Sequence, residues 1–147
     1  MSTSRELLAE FFECLEHLDS SIDRCVDLFA NDGVFEFPYM PTIGIDARFQ
    51  GHDAIRGVLG LIRAHFPSFT LSNIAIHDLK DDTGLFVEYH SESILNGTDK
   101  VYAQDYVSYL VVENGKIGHL REYLNIISSA RMLLPNGLAD VPGGAKP

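Results

Sequence analysis

The stretch Val111-Val-Glu-Asn-Gly-Lys-Ile-Gly-His-Leu-Arg-Glu-Tyr-Leu-Asn-Ile-Ile127 carries the strongest fold signal of the chain. Asn114-Gly115 lies between two runs rich in β-branched, aromatic and aliphatic residues, which is typical of a two-residue hairpin turn. The stretch therefore predicts two antiparallel strands, about residues 100–112 and 116–127, whose register follows from the turn.

Glu122 is the unusual residue of the second strand. Alternate side chains of a strand point to opposite faces, so Glu122 shares a face with Leu120, Leu124 and Ile126. An ionised carboxylate on a buried apolar face is costly unless it has a partner, takes up a proton or lines a cavity that holds water or a ligand. Glu122 is therefore either a structural acid, held by Arg56 or a helix terminus, or a functional one.

Counting back from the turn predicts the neighbours of Glu122 on the first strand. Val107 is expected opposite Glu122, with Asp105 two residues further along the same face. Tyr109 lies on this face as well, so two acids and a phenol share an otherwise apolar surface. Two carboxylates in a poorly hydrated pocket raise one pKa and leave the other lower, which suits an acid and base pair. We therefore predict Glu122 and Asp105 as catalytic residues.

The strand before this hairpin, about residues 85–95, leaves an alternative open. It carries Tyr89 on one face and His90 on the other, and the length of the loop at residues 96–99 decides which of them lies beside Asp105. In a pocket, Tyr89 would donate a hydrogen bond and His90 would be a general base.

The rest of the chain shows helical periodicity first and strand alternation later. Helices are predicted at about residues 4–18, 22–30 and 53–65, and further strands at about residues 34–37 and 69–78. Helices followed by antiparallel strands indicate an α+β fold, with the helices packed on one face of a curved sheet. We expect a single domain over residues 1–134 and a flexible tail at residues 135–147, which are rich in Gly and Pro.

Charge and composition narrow the range of partners. The net charge is −10 with only 11 Lys and Arg residues, which disfavours nucleic acid and anionic membranes. No apolar run is long enough to span a membrane and the first residues do not form a signal peptide, so a soluble cytoplasmic protein is expected. The His and Cys spacings match no metal motif, and no nucleotide-binding motif is present, so we expect neither a metal nor a cofactor.

Four segments of the chain resemble the nuclear-transport-factor-2-like superfamily. They are DLFANDGVFEFP, FQGHDAI, FPSFTLSNIAI and VVENGKIGHLREYLNII, and the resemblance spans about residues 5–134. The chain is most similar to SnoaL-like and ketosteroid-isomerase-like members, and among these to the phenazine biosynthesis A/B family. The resemblance implies a cone-shaped, curved antiparallel sheet wrapped around three helices, also called cystatin-like. It further implies a homodimer and a pocket into which Glu122 points.

The chain departs from these families at positions that carry their chemistry. Phenazine biosynthesis proteins have a pocket histidine on the third helix where this chain has Val58. Ketosteroid isomerases have their proton-shuttling aspartate where this chain has Phe37, and their oxyanion tyrosine falls near Glu13. We therefore expect neither the phenazine condensation nor steroid isomerisation of the usual mechanism.

Two hypotheses for the function follow. The first is an isomerase or lyase without cofactor, which uses Glu122 as general acid or base in the isomerisation, cyclisation, dehydration or condensation of a small apolar or aromatic molecule. The second is a non-catalytic module that binds such a ligand or serves only for dimerisation. The side chains expected to bind the ligand are Tyr109, Tyr89, Phe35, Phe37, Leu59, Ile62, Leu120 and Leu124.

Overall fold

The computed structural model describes residues 1–143, which form one curved six-stranded sheet with helices packed against it. The strands are β1 (Phe29–Glu36), β2 (Arg48–Gln50), β3 (Thr70–Asp78), β4 (Gly84–Ile94), β5 (Val101–Glu113) and β6 (Lys116–Leu124). Within residues 1–143 the α-helices are α1 (Ser4–Glu16), α2 (Leu18–Asp27), α3 (His52–His65) and α4 (Ile126–Leu133), and two short 3-10 helices span Met40–Ile43 and Gly137–Asp140.

The strand order is β2-β1-β6-β5-β4-β3. Strands β3 to β6 form an antiparallel meander, whereas β1 runs parallel to β6, with Phe35 opposite Leu120. The predicted α+β fold with a curved sheet is confirmed. The structure adds one parallel strand pair to the expected antiparallel sheet and a fourth α-helix after β6. A parallel neighbour needs a long connection, and the segment from β1 to β6, which includes α3 and four strands, provides it.

The first three helices cover one face of the sheet, called the inner face below. The Thr3 side chain begins α1 with a capping box, in which it accepts a hydrogen bond from the Glu6 amide while the Glu6 carboxylate accepts one from the Thr3 amide. The buried stripe of α1 includes Leu7 and Phe11, which belong to one core cluster with inner-face residues such as Leu110. Burial of each such side chain contributes about 1.5–3 kcal/mol, so this packing determines which sheet face is enclosed.

Strand β6 ends earlier than its apolar pattern predicts. The Asn125 side chain accepts hydrogen bonds from the amides of Ile127 at 3.1 Å and Ser128 at 3.4 Å, and so begins α4. The prediction of a strand through Ile127 was therefore wrong, because the helix cap at Asn125 overrides the local β pattern. Helix α4 then packs against β5 and supplies Leu133 to the cavity described below.

The C-terminal segment is structured over part of its length. The 3-10 helix Gly137–Asp140 packs against α4, and Val141 lies against the core. Residues 144–147 lie outside the described residues, and the flexibility of residues 135–147 and the domain boundary at 134 stay predictions. None of the helices formed by residues 1–143 is long and apolar enough to cross a membrane.

Candidate functional site

A β-bulge in the β5–β6 hairpin decides which side chains share a face with Glu122. The pairing begins at the turn as predicted, but it shifts by one residue at Gly118. Ser108, rather than Val107, therefore lies opposite Glu122. A shift of one residue exchanges the two faces of a strand relative to its partner, so the face predicted for β5 was the wrong one.

Asp105 and Tyr109 accordingly lie on the outer face of the sheet. The Asp105 side chain is 76% exposed, and its Oδ1 lies 2.7 Å from His90 Nδ1. The Tyr109 ring stacks on Phe86 with a centroid separation of 4.5 Å, and the Arg121 guanidinium lies 5.6 Å from the centroid of the same tyrosine ring. The prediction that Asp105 and Tyr109 share a pocket with Glu122 was wrong, because the bulge turns both of them outward.

On the inner face, Tyr89 rather than His90 lies next to Glu122. The Tyr89 hydroxyl donates a hydrogen bond to Glu122 Oε1 at 3.1 Å and lies 3.2 Å from Ser108 Oγ. Among residues 1–143, the second carboxyl oxygen of Glu122, Oε2, has no hydrogen-bond partner. Tyr89 therefore contacts the acid directly, while His90 is part of the outer surface.

Burial controls the ionisation of Glu122. The residue is 5% exposed, and burial raises the pKa of its carboxyl to about 7, while the hydrogen bond from Tyr89 acts in the opposite direction. Arg56 forms its ion pair with Asp23, so the interpretation of Glu122 as an acid held by Arg56 was wrong. Near neutral pH, Glu122 is therefore present in both its protonated and its ionised form.

The Glu122 carboxyl lines a cavity of about 280 Å³ on the inner face. The exposed side chains of Asp46 and His65 lie at its opening. Its wall is apolar and combines aliphatic side chains with seven aromatic rings, namely Phe35, Phe37, Phe49, Phe66, Phe69, Tyr102 and Tyr106. The arrangement is that of a ligand pocket, with apolar walls and a few polar groups.

The eight predicted ligand-binding residues divide into four groups, one of which is Tyr109 alone on the outer face. Four of them line the cavity, namely Phe35, Phe37, Ile62 and Leu124. Leu59 and Leu120 are at most 1% exposed and do not line it, so their prediction as lining residues was wrong, and they form the core beside it. Tyr89 lies behind Glu122 and contacts the acid instead of the cavity.

Sequence reasoning missed the tyrosines that β5 supplies to the cavity. Tyr106 lines the wall, its hydroxyl lies 3.0 Å from Ser91 Oγ, and its ring stacks on Tyr89 at 4.4 Å. Tyr102, four residues before Tyr106 on the same face of β5, lines the wall as well. A glycine inside a strand often marks a bulge, so Gly118 was the signal that could have assigned both tyrosines to the inner face.

Gln104 was also missed, and it holds the end of β6 in place. Its side chain is buried, and its Oε1 accepts a hydrogen bond from the Asn125 amide at 2.7 Å. Its Nε2 donates to Tyr102 at 2.8 Å and to Ser129 of α4 at 3.1 Å. These bonds connect β5 to the start of α4, which supplies Leu133 to the cavity wall.

A curved sheet that encloses an apolar pocket with its helices defines a nuclear-transport-factor-2-like protein. The model of the SnoaL-like domain family matches residues 8–119, and the chain belongs to this family.

The relatives agree with this assignment. An uncharacterised PhzA/B-like protein of Pseudomonas aeruginosa is 29% identical over 122 residues, which cover 83% of this chain and 84% of the relative. A crystal structure of a candidate isomerase from Bacillus subtilis has a TM-score of 0.74 at 22% identity and covers 97% of this chain and 94% of its own. That of a phenazine biosynthesis-related protein from Pseudomonas aeruginosa has a TM-score of 0.72 at 21% identity, with 88% and 84% covered. The predicted resemblance is confirmed, and the two structures support the fold.

Proposed function

We propose that this protein is an acid/base enzyme of the isomerase or cyclase kind, in which Glu122 moves a proton on a small, largely apolar molecule without a cofactor. The observation that carries this proposal is the Glu122 carboxyl in an apolar cavity, with Oε1 bonded to Tyr89 and Oε2 without a partner among residues 1–143. A general acid or base works best when its pKa lies near the working pH, and a pKa of about 7 meets that condition.

The cavity favours a ligand of one or two rings. Its volume of about 280 Å³ lies just below the range of roughly 300–1,000 Å³ that holds drug-sized ligands. The aromatic wall suits a flat ring system, since offset and edge-on ring contacts add to the burial of apolar area. The only acid inside the described part of the cavity is Glu122, because Asp46 lies at the opening.

A single carboxyl group must therefore perform both proton-transfer steps. Ionised Glu122 removes a proton from a carbon next to a carbonyl group, and protonated Glu122 then returns the proton to another atom of the same ligand. Tyr106 is our candidate donor of a hydrogen bond to the ligand oxygen on which negative charge develops, since it lies in the same wall. Asp105, on the outer face, takes no part.

Deuterium exchange tests this proposal without knowledge of the natural substrate. The protein is incubated in deuterium oxide with 2-tetralone or 2-cyclohexenone, and loss of the acidic C–H signal is followed by proton NMR. We expect the wild type to exchange the ketone well above the rate in buffer alone. In Glu122→Gln, the part of the rate that exceeds the buffer rate is expected to fall at least 100-fold, since general acid or base catalysis contributes about 10²–10⁴-fold. Asp105→Asn is the matched control and is expected to exchange as the wild type does. Equal exchange rates in wild type and Glu122→Gln would contradict the proposal.

The second candidate function is ligand binding without turnover. The absence of Asp105 from the cavity favours it, because the pocket then lacks the expected second acid. Titration with 2-naphthol, followed by chemical shifts of the protein, separates the two candidates. Equal affinity of wild type and Glu122→Gln, together with no exchange of either ketone, would support the binding module.

A further inference from the structure

No positively charged side chain lies beside the Glu122 carboxyl in the part of the chain that the structure describes. Its pKa is set by burial and by one hydrogen bond. The ionisable groups that face it from neighbouring elements are Tyr89 of β4, Tyr102 and Tyr106 of β5, and Cys25 of α2. Burial raises the pKa of the three tyrosines, and the hydrogen bond with Cys14, together with burial, raises the pKa of Cys25, so all four groups are neutral near pH 7. His65 and Asp46, at the cavity opening, are exposed to solvent.

The hydrogen-bond direction at Tyr89 is determined by proton count. A tyrosine hydroxyl has one proton, and Tyr89 donates it to Glu122 Oε1. The 3.2 Å contact with Ser108 Oγ is therefore a bond in which Ser108 donates and Tyr89 accepts. Both residues are at most 4% exposed, so this chain of two hydrogen bonds ends inside the core.

Packing prevents the Tyr89 ring from leaving this position. One contact of the ring is with Tyr106, stacked at 4.4 Å with an interplanar angle of 11°. Another is with Phe12 of α1, at 4.7 Å. A ring held between a strand and a helix keeps its hydroxyl at a constant distance from Glu122, since close-packed interiors do not accommodate a displaced ring.

We propose that Tyr89, supported by Ser108, is the positioning residue of this site: it occupies Oε1 of Glu122 and leaves Oε2 as the oxygen that exchanges a proton with the ligand. The inference rests on the proposed function, because it assigns the reacting atom of the same acid. Since the Ser108 end of the chain is buried, a proton taken up at Oε2 leaves again through the cavity. The proton is then returned to the ligand that supplied it.

A hydrogen bond from Tyr89 is stronger when Glu122 is ionised, because bonds to a charged acceptor are about twice as strong as bonds between neutral groups. Tyr89 therefore lowers the proton affinity of Glu122, in opposition to burial. Removal of the hydroxyl is expected to raise the pKa of Glu122, and a packing role alone would not do so.

The test is a pH titration of Glu122 in the protein without ligand. Glutamate labelled with ¹³C at the carboxyl carbon is incorporated, and the Glu122 signal is identified by its loss in Glu122→Gln. We expect the pKa to rise by about one unit in Tyr89→Phe, which is a tenfold gain in proton affinity. Ser108→Ala is expected to raise the pKa of Glu122 by less, because the Tyr89 hydroxyl still donates its hydrogen bond to Glu122 in this variant.

Tyr106→Phe is the matched control, since it also removes a tyrosine hydroxyl from the cavity wall that Glu122 shares, but one bonded to Ser91. Its Glu122 titration is expected to coincide with that of the wild type. If the pKa of Glu122 is the same in Tyr89→Phe as in Tyr106→Phe, the inference is overturned. If Tyr89→Phe does not fold, Ser108→Ala decides, and an unchanged pKa there overturns it as well. A wild-type Glu122 that titrates near the ordinary glutamate pKa of 4.5 would instead overturn the proposed function.

Discussion

At the scale of single residues, the ionisation of Glu122 depends on the fold. The same side chain in an unfolded chain is ionised at neutral pH, whereas in the folded protein burial raises its pKa to about 7. Tyr89 limits this shift by donating to one carboxyl oxygen. The acid can therefore both accept and donate a proton near pH 7, and this ability comes from its surroundings.

Glu122 is expected to make stability depend on pH in a defined direction. Its pKa rises from the ordinary value of 4.5 to about 7 on folding, so the folded state binds the proton more tightly. This contribution is fully present below pH 4.5 and is lost as the pH rises through 7, with a total of roughly 3 kcal/mol. Glu122→Gln lacks it, so the variant gains stability relative to the wild type as the pH rises.

Urea unfolding of both proteins from pH 4.5 to pH 8 measures this difference. The other acids titrate equally in the two proteins, so their contributions cancel. Parallel stability curves over this range would show that Glu122 has an ordinary pKa in the folded state.

At the scale of elements, strands β4 and β5 approach each other so closely at Gly84 that no side chain fits at this position. Gly84 begins β4 opposite Val111, and a methyl group on it would overlap the backbone oxygen of Leu110. Backbone cannot move aside as a flexible side chain can, so any larger residue must separate the two strands. Both strands supply residues around Glu122, so the close pairing that Gly84 allows helps to position those residues.

Gly84→Ala is expected to destabilise the protein by about 2 kcal/mol or more, because overpacking against backbone displaces the strand. Gly57→Ala in α3 is the matched control. No atom outside its own helix lies within 4 Å of an added methyl group there, and alanine is favoured over glycine in a helix by about 1 kcal/mol. In urea unfolding, Gly84→Ala should lower the free energy of unfolding and Gly57→Ala should raise it. An unchanged free energy of unfolding in Gly84→Ala would contradict the expected overlap.

At the scale of the whole molecule, the outer face of the sheet combines exposed apolar and aromatic side chains with charged ones such as Glu88 and Asp105. Phe86 and Val107 are 38% and 41% exposed on this face, near Tyr109 and Arg121. Aromatic residues and arginine are enriched at interfaces between proteins. The homodimer implied by the family resemblance stays a prediction, and this face is its expected contact surface.

Light scattering during size-exclusion chromatography tests the dimer. We expect twice the chain mass of 16.3 kDa for the wild type and 16.3 kDa for Val107→Glu, which places a charge in the contact surface. Leu138→Glu, at an equally exposed apolar residue on the C-terminal 3-10 helix, is expected to remain dimeric. A wild-type monomer would refute the dimer, and dissociation by Leu138→Glu alone would assign the contact to another surface.

The overall α+β arrangement could be predicted because its signals are local. Helical periodicity predicted α1, and the Asn114-Gly115 turn correctly located the β5–β6 hairpin. The end of β6 was missed because a side-chain cap at Asn125 competes with a run of apolar residues. The parallel pairing of β1 with β6 has no local signal, since it joins segments far apart in the chain.

The sequence by itself determined that Glu122 shares the apolar face of β6, because alternation along a strand is a property of the strand alone. Only the tertiary structure decided which residues lie beside it. One residue without a partner, Gly118, moved Tyr89, Ser108 and Tyr106 to the acid and Asp105 away from it. Register is a property of the paired strands, so a single bulge reassigns every side chain beyond it.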